Sequence, residues 1–213
     1  MAKETAHQIG TPLSSIMAWL ELLKIDGANA DQAATEIEKD VQRLDMITER
    51  FSKIGSTPEL DNNNLTEILN TSLNYLKPRT SKKTAFELKY NQNQKLDIPV
   101  NPALFSWVIE NLVKNAIDAM GGKGTITVDV FDETKYIIID ITDTGKGIPQ
   151  TELKAIFNPG YTSKKRGWGL GLSLSKRIVN DYHKGKIFVK SSTLGKGTTF
   201  RIMLKKTILI KNL

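Results

Sequence analysis

The sequence contains no cysteine. That excludes disulfides, cysteine-bound zinc and thiol nucleophiles, and it fits a reducing compartment such as the cytoplasm. Long apolar runs are missing too. Nothing approaches the ~18–20 uninterrupted apolar residues of a membrane span, and no secretory signal opens the chain. Aromatic residues are sparse, at 7%. They do not interleave with the basic residues, so a stacking groove for single-stranded nucleic acid is not expected.

What remains is the composition of a folded protein. There are 213 residues, 39% of them apolar and 25% charged, enough for one large domain or for a small and a medium one. The net charge of +7 is unevenly spread. Residues 1–60 hold six Lys/Arg and ten Asp/Glu, net −4, while residues 61–213 hold 24 and 13, net +11. A basic segment suits a polyphosphate, a membrane or nucleic acid. The acidic segment beside it argues against a simple nucleic-acid clamp, and no nucleic-acid partner is expected.

Residues 1–54 read as a helical hairpin. In the first helix Ile9, Leu13, Ile16, Leu20 and Leu23 are spaced 4, 3, 4, 3, a heptad seam. The run from Asp26 to Asp31 is the turn, with Asp31 as N-cap. The second helix carries Ile37, Val41, Leu44, Ile47, Phe51 and Ile54. Two narrow seams cannot close a core alone. They call for a partner: a second copy making a four-helix bundle through residues 4–54, or else the chain's own second domain. Heptad spacing favours the homodimer.

Residues 55–64 read as a linker, and 65–206 as a domain of another character. Helices are expected over Leu65–Leu76, Pro102–Met120 and Leu170–Tyr182. Strands are expected over Ala85–Tyr90, Lys95–Ile98, Gly124–Phe131, Tyr136–Thr142, Lys186–Ser191 and Thr198–Leu204. Without strict strand–helix alternation, this predicts an α/β sandwich rather than a doubly wound sheet. The tail 207–213 either extends the last strand or belongs to no domain.

On the Pro102–Met120 helix, Asn111, Asn115 and Asp118 share one face. Their side-chain oxygens suit a hard cation such as Mg²⁺. Val108, Leu112, Ala116 and Ile117 form the buried side. Two glycine segments follow: Asp143-Thr-Gly145-Lys-Gly147 after a buried strand, and Gly167-Trp-Gly169-Leu170-Gly171 opening a helix. Glycine lets backbone approach a ligand, and a helix N-terminus welcomes phosphate. Neither segment is a P-loop, nor a Rossmann fingerprint. A third, Gly195-Lys-Gly197-Thr198, precedes the final strand.

Asn111-x-x-x-Asn115, Asp143-x-Gly145-x-Gly147, Phe157-Asn-Pro, Gly169-x-Gly171 and Gly195-x-Gly197-Thr198 resemble, in order, the sequence boxes of the histidine-kinase ATP-binding domain. Its wider superfamily includes the type II topoisomerase, heat-shock chaperone and mismatch-repair ATPases. The resemblance implies ATP bound between a sheet and a lid. Asp143 would take the adenine amino group and Thr198 would support it. Asn115, with Asn111, would face Mg²⁺ and the phosphates. Asp118, Gly145, Gly147, Phe157, Gly167, Gly169, Leu170 and Gly171 would complete the site, with Lys164 as a lid cation. Asp118 stands where many of these kinases have Lys or Arg, so phosphate charge must be met elsewhere, by Lys164 or Lys165.

His7-Gln8-Ile-Gly-Thr11-Pro12 resembles the phosphoacceptor box of the same family. His7 lies well off the apolar seam, and Thr11 shares its face. Pro12 cannot donate to the carbonyl of Gln8, which loosens the helix there. The resemblance implies a two-component sensor histidine kinase core: autophosphorylation of His7, transfer to a response-regulator receiver domain, and phosphatase assistance from Thr11. Gln8 replaces the acid that usually follows the phosphoacceptor. His183, at a helix end before a glycine, is expected to be structural. The resemblance covers residues 4–204. Sensor and transmembrane modules usual in the family are not among them, so membrane attachment is expected only through a missing sensor region. An interaction scaffold and an ATP-driven clamp are the rival classes.

Overall fold

The computed structural model describes residues 2–25, 30–52, 58–91, 96–163 and 169–206. The chain divides into two compact units, 1–58 and 59–213.

In the first unit, α1 (Ala2–Leu23) and α2 (Ala30–Ser52) pack together as a hairpin. α1 runs through Pro12, whose missing N–H leaves the Gln8 carbonyl without its usual helical donor. Only part of the apolar periodicity is spent within the hairpin. Ala33 is buried, and Ile16, Ile37 and Leu44 are half-buried. Leu13, Leu20 and Val41, all on the predicted seams, are 46%, 47% and 51% exposed. The predicted turn residues 26–29 lie outside the described residues, as do Ile54 and the side chains of Ile9, Ile47 and Phe51.

The second unit is a two-layer α/β sandwich. β2 (Thr84–Lys89), β4 (Gly124–Asp132), β5 (Tyr136–Asp143), β6 (Lys186–Thr193) and β7 (Gly197–Lys205) form one sheet in the order β2-β4-β5-β7-β6. β2 and β4 are parallel, and the other neighbours are antiparallel. Side chains alternate across it. Ile126, Val128, Val130, Ile137, Ile139, Ile141, Phe200, Ile202 and Leu204 face inward, where they pack with α3 (Leu65–Leu76), α4 (Pro102–Ala119) and the α5 segment (Gly171–Arg177). Asn64 caps α3 by accepting the Thr66 N–H at 3.1 Å, and Asn101 caps α4 through Leu104 N–H at 3.1 Å, with Pro102 at the first helical position.

The opposite face holds a charged row. Asp140 is buried there beneath Arg201, whose Nε and Nη2 each donate at 2.7 Å, and Lys190, whose Nζ donates at 2.8 Å. Burial opposes ionisation of Asp140, but these cations outweigh it and hold its carboxyl below the usual range.

Three details differ from the sequence reading. Asp61–Asn64, read as linker, is strand β1, paired antiparallel with β3 (Asp97–Val100). Its own composition disfavours a strand. Pairing supplies the order, and Asn63 Nδ2 adds a bond to the Val100 carbonyl at 3.0 Å. β3 itself starts two residues later than expected. The helix expected over Leu170–Tyr182 changes at Arg177 into one π-helical turn, Ile178–Tyr182. The tail 207–213 lies outside the described residues. No helix among the described residues is long and apolar enough to cross a membrane.

Candidate functional site

Asp143 ends β5 with 4% of its surface exposed. Thr198 is its partner across the β5–β7 ladder, so both side chains lie on the inner face. Asp143 Oδ1 accepts the Gly145 N–H at 2.8 Å, and the Thr198 N–H donates to the same carboxylate. Burial pushes the carboxyl above its usual range, against the pull of those two donors. A carboxylate has about four acceptor sites, so this one can still take an N–H from a ligand.

The segment after Asp143 is bonded at both sides. Lys146 N–H donates to the Ala119 carbonyl at the end of α4, 3.0 Å away, and the Lys146 carbonyl accepts Gly195 N–H at 2.9 Å. Ile148 N–H donates to Ser192 Oγ at 2.7 Å. Gly147 has φ +74°, and a Cβ there would run into the Thr193 carbonyl, so both conformation and space demand glycine.

Asn111, Asn115 and Asp118 do share a face of α4. Asn111 Nδ2 donates to Ser175 Oγ of α5 at 2.9 Å. Its Oδ1 lies against Gly171, where an added Cβ would collide with that oxygen. The two helices therefore meet at a point where any larger residue would displace the Asn111 amide. Asn115, one turn on, is half-buried and Asp118 is exposed. Gly160 N–H bonds the Gly169 carbonyl at 3.1 Å, joining the two ends of the glycine-rich segment. The Leu170 carbonyl accepts Leu174 N–H and Ser173 Oγ, both at 2.9 Å. Phe157 packs edge-on to Phe200, centroids 6.3 Å apart, and thereby ties the 155–157 turn to the sheet. Lys164, Lys165, Gly167 and Trp168 lie outside the described residues.

Among the described residues no group of three or more His, Cys, Asp or Glu gathers as a metal cluster. A divalent ion beside Asn111 and Asn115 would draw on neutral amide oxygens and on a ligand's phosphates. That is an all-oxygen set suited to Mg²⁺.

His183 is buried and packs edge-on to Phe105. Its Nε2 accepts the Asn101 N–H at 3.1 Å, so Nδ1 carries the proton and donates to the Ile178 carbonyl at 2.9 Å. Burial pushes this imidazole below its usual pKa range. His7, Gln8 and Thr11 lie on α1, in the other unit, and their side chains are outside the described residues.

The structure thus brings Asp143, Gly145, Gly147 and Thr198 together, and joins Asn111 to Gly171. The sequence reading missed Ser192 and Ile148, which tie the glycine segment to the β6–β7 hairpin. Nothing local marks Ser192, because its direction depends on an irregularity in β6.

Residues 101–208 match the family described as histidine kinase-, DNA gyrase B-, and HSP90-like ATPase. Sensor histidine kinase ZraS of Salmonella typhi is 35% identical over 96% of this chain and 45% of its own length. The chain therefore spans about half the length of the curated relatives it matches. Among solved structures, the nucleotide-free catalytic domain of histidine kinase ThkA is 29% identical, covering 70% of this chain and 97% of that one, with a TM-score of 0.62. ThkA in complex with response regulator protein TrrA shares the fold over 97% of this chain and 61% of that one, at 24% identity and a TM-score of 0.70. The chain belongs to the histidine kinase-, DNA gyrase B- and HSP90-like ATPase family.

Proposed function

We propose that this chain is the catalytic core of a two-component sensor histidine kinase: it phosphorylates His7 from ATP and passes the phosphoryl group to an aspartate of a response regulator. The observation that carries this reading is the extent of the likeness to ZraS, which takes in the hairpin as well as the nucleotide unit. The buried acceptor Asp143, beside glycine segments that let backbone come close, supports ATP as the phosphoryl donor.

In this reading Asp143 accepts from the adenine amino group and Thr198 supports it. The segment Gly145–Gly147 borders the base, while Gly169, Leu170 and Gly171 border the phosphates opposite Asn111. Phe157 fixes the turn between them. Asn115, with Asn111, would hold Mg²⁺, which would supply neutralisation of phosphate charge. Asp118 supplies no positive charge, so Lys164 in the lid meets the phosphates. Neutral imidazole, with an unperturbed pKa of about 6.5, is the nucleophile at His7. A nitrogen–phosphorus bond forms, the bond to the ADP oxygen breaks, and the imidazole loses its proton. Positioning and electrostatics do most of the work in such transfers. Gln8 accepts a hydrogen bond from the ring N–H, and Thr11 orients water when the regulator is dephosphorylated.

The exposed stripe of Leu13, Leu20 and Val41 supports a homodimeric four-helix bundle, on which the regulator docks. The core works in the cytoplasm, where ATP is available, and any membrane link is made by a sensor region. Incubation with γ-labelled ATP tests the reading. Acid-labile, base-stable label on the protein is the expected result. Phosphate release without label would mean an ATP-driven clamp, and neither would mean a nucleotide-binding scaffold.

A further inference from the structure

We propose that Ser192 sets the hydrogen-bond polarity of the base pocket, by giving its hydroxyl proton to Thr198 and so leaving the Thr198 proton for the nucleotide base. The proposal rests on the reading of Asp143 as the acid that recognises that base.

The backbone turns Ser192 into position. In β6, Ile187 pairs with Ile202 and Val189 with Phe200, but the next pair is Ser191 with Thr199. Lys190 is the extra residue of a β-bulge. Strict alternation would send Ser191 inward and Ser192 outward. The bulge reverses this: Lys190 and Ser191 are both exposed, and Ser192 is buried opposite Thr198. Lys190 is held on the outer face by Asp140 at 2.8 Å, which anchors the bulge.

The proton count then follows from the partners. Ile148 N–H can only donate, so Ser192 Oγ accepts it, at 2.7 Å. The single Ser192 proton has two neighbours, Thr198 Oγ1 at 2.9 Å and the Gly197 carbonyl at 3.4 Å. Either hydroxyl can donate across the 2.9 Å pair; the 3.4 Å contact to Gly197 is long for a hydroxyl bond, and the proposal gives the Ser192 proton to Thr198. Thr198 then accepts from Ser192 and points its own proton elsewhere. The chain reads Ile148 N–H to Ser192 to Thr198 to base, each bond polarising the next.

Beside it, Asp143 offers an acceptor. An acceptor and a donor on the same face match an adenine edge, whose amino group donates and whose ring N1 accepts. They oppose a guanine edge, where both roles are exchanged. Ser192 is thus a positioning residue: it acts on the base through Thr198, directly or across one bridging water.

The test is calorimetric binding of ADP and of 1-deaza-ADP, in which a C–H replaces N1, to the full chain and its variants. The wild type should prefer ADP by about 3–10-fold, the worth of one hydrogen bond. Ser192→Ala should bind both nucleotides less tightly, because Ile148 loses its tether, and should narrow the preference, because no donor then orients and polarises the Thr198 hydroxyl. Ser192→Thr, which keeps the hydroxyl, should preserve it. Should Ser192→Ala fail to fold, Ser192→Cys keeps the shape with a weak donor and should narrow the preference in the same way. An undiminished preference in the Ala or Cys variant overturns the proposal. So does a wild type that binds both nucleotides equally, with the nucleotide site itself left standing. A wild type that binds neither removes the nucleotide reading and the proposal with it.

Discussion

His183 Nε2 accepts the backbone N–H of Asn101 at 3.1 Å, so the residue that follows the π-helical turn holds the cap of α4. α4 is the helix that carries Asn111 and Asn115. Protonating Nε2 would set a donor against a donor. The folded pKa lies below the usual value, so the unfolded chain binds the proton more readily. Stability from this group is then fully present above about pH 6.5 and is lost as pH falls towards the folded value. We predict that the thermal midpoint of the wild type falls more steeply from pH 7 to pH 5 than that of His183→Gln. The amide oxygen of glutamine can accept from Asn101 without titrating. Parallel curves would show that His183 does not carry this dependence.

Asp143→Asn is predicted to weaken ATP relative to GTP, because an amide can present a donor where the carboxylate only accepts. Competition binding of the two nucleotides checks it. Unchanged affinity and selectivity would take Asp143 out of the base site.

Glycine-bearing boxes are readable from sequence because each states a local demand: Gly147 needs φ +74° and Gly171 needs space against Asn111. The core strands are readable because they are runs rich in β-branched apolar residues, such as Ile137–Ile139 and Ile141 in β5. Features that depend on distant partners are not. Asp61–Asn64 becomes a strand only because β3 pairs with it. Ser192 turns inward only because one residue bulges out of β6, and the anchor of that bulge, Asp140, lies two strands away. The π-helical turn that lets Ile178 serve both the backbone and the ring of His183 has no composition of its own.

The exposed seam on the hairpin predicts self-association. Light scattering should give about twice the chain mass, and Leu20→Glu, which puts a charge on the exposed seam, should shift the protein to monomer. A monomeric wild type would contradict the bundle.

Gln8 offers neither a base nor a negative charge beside His7. A positioned general base commonly contributes ~10²–10⁴-fold. We predict that Gln8→Glu accelerates autophosphorylation at neutral pH with little change in ATP affinity. Single-turnover labelling across pH 6 to 9 measures this. Rates that agree within about twofold throughout would leave Gln8 with orientation of His7 as its role.

The central claim is that one unit supplies ATP and the other supplies the acceptor. The most direct measurement is a paired one on His7→Ala: label incorporated from γ-labelled ATP, and ATP affinity of the same sample. The account predicts no acid-labile label with ATP binding unchanged, since His183 is buried with both ring nitrogens engaged. Acid-labile label persisting on His7→Ala would contradict it.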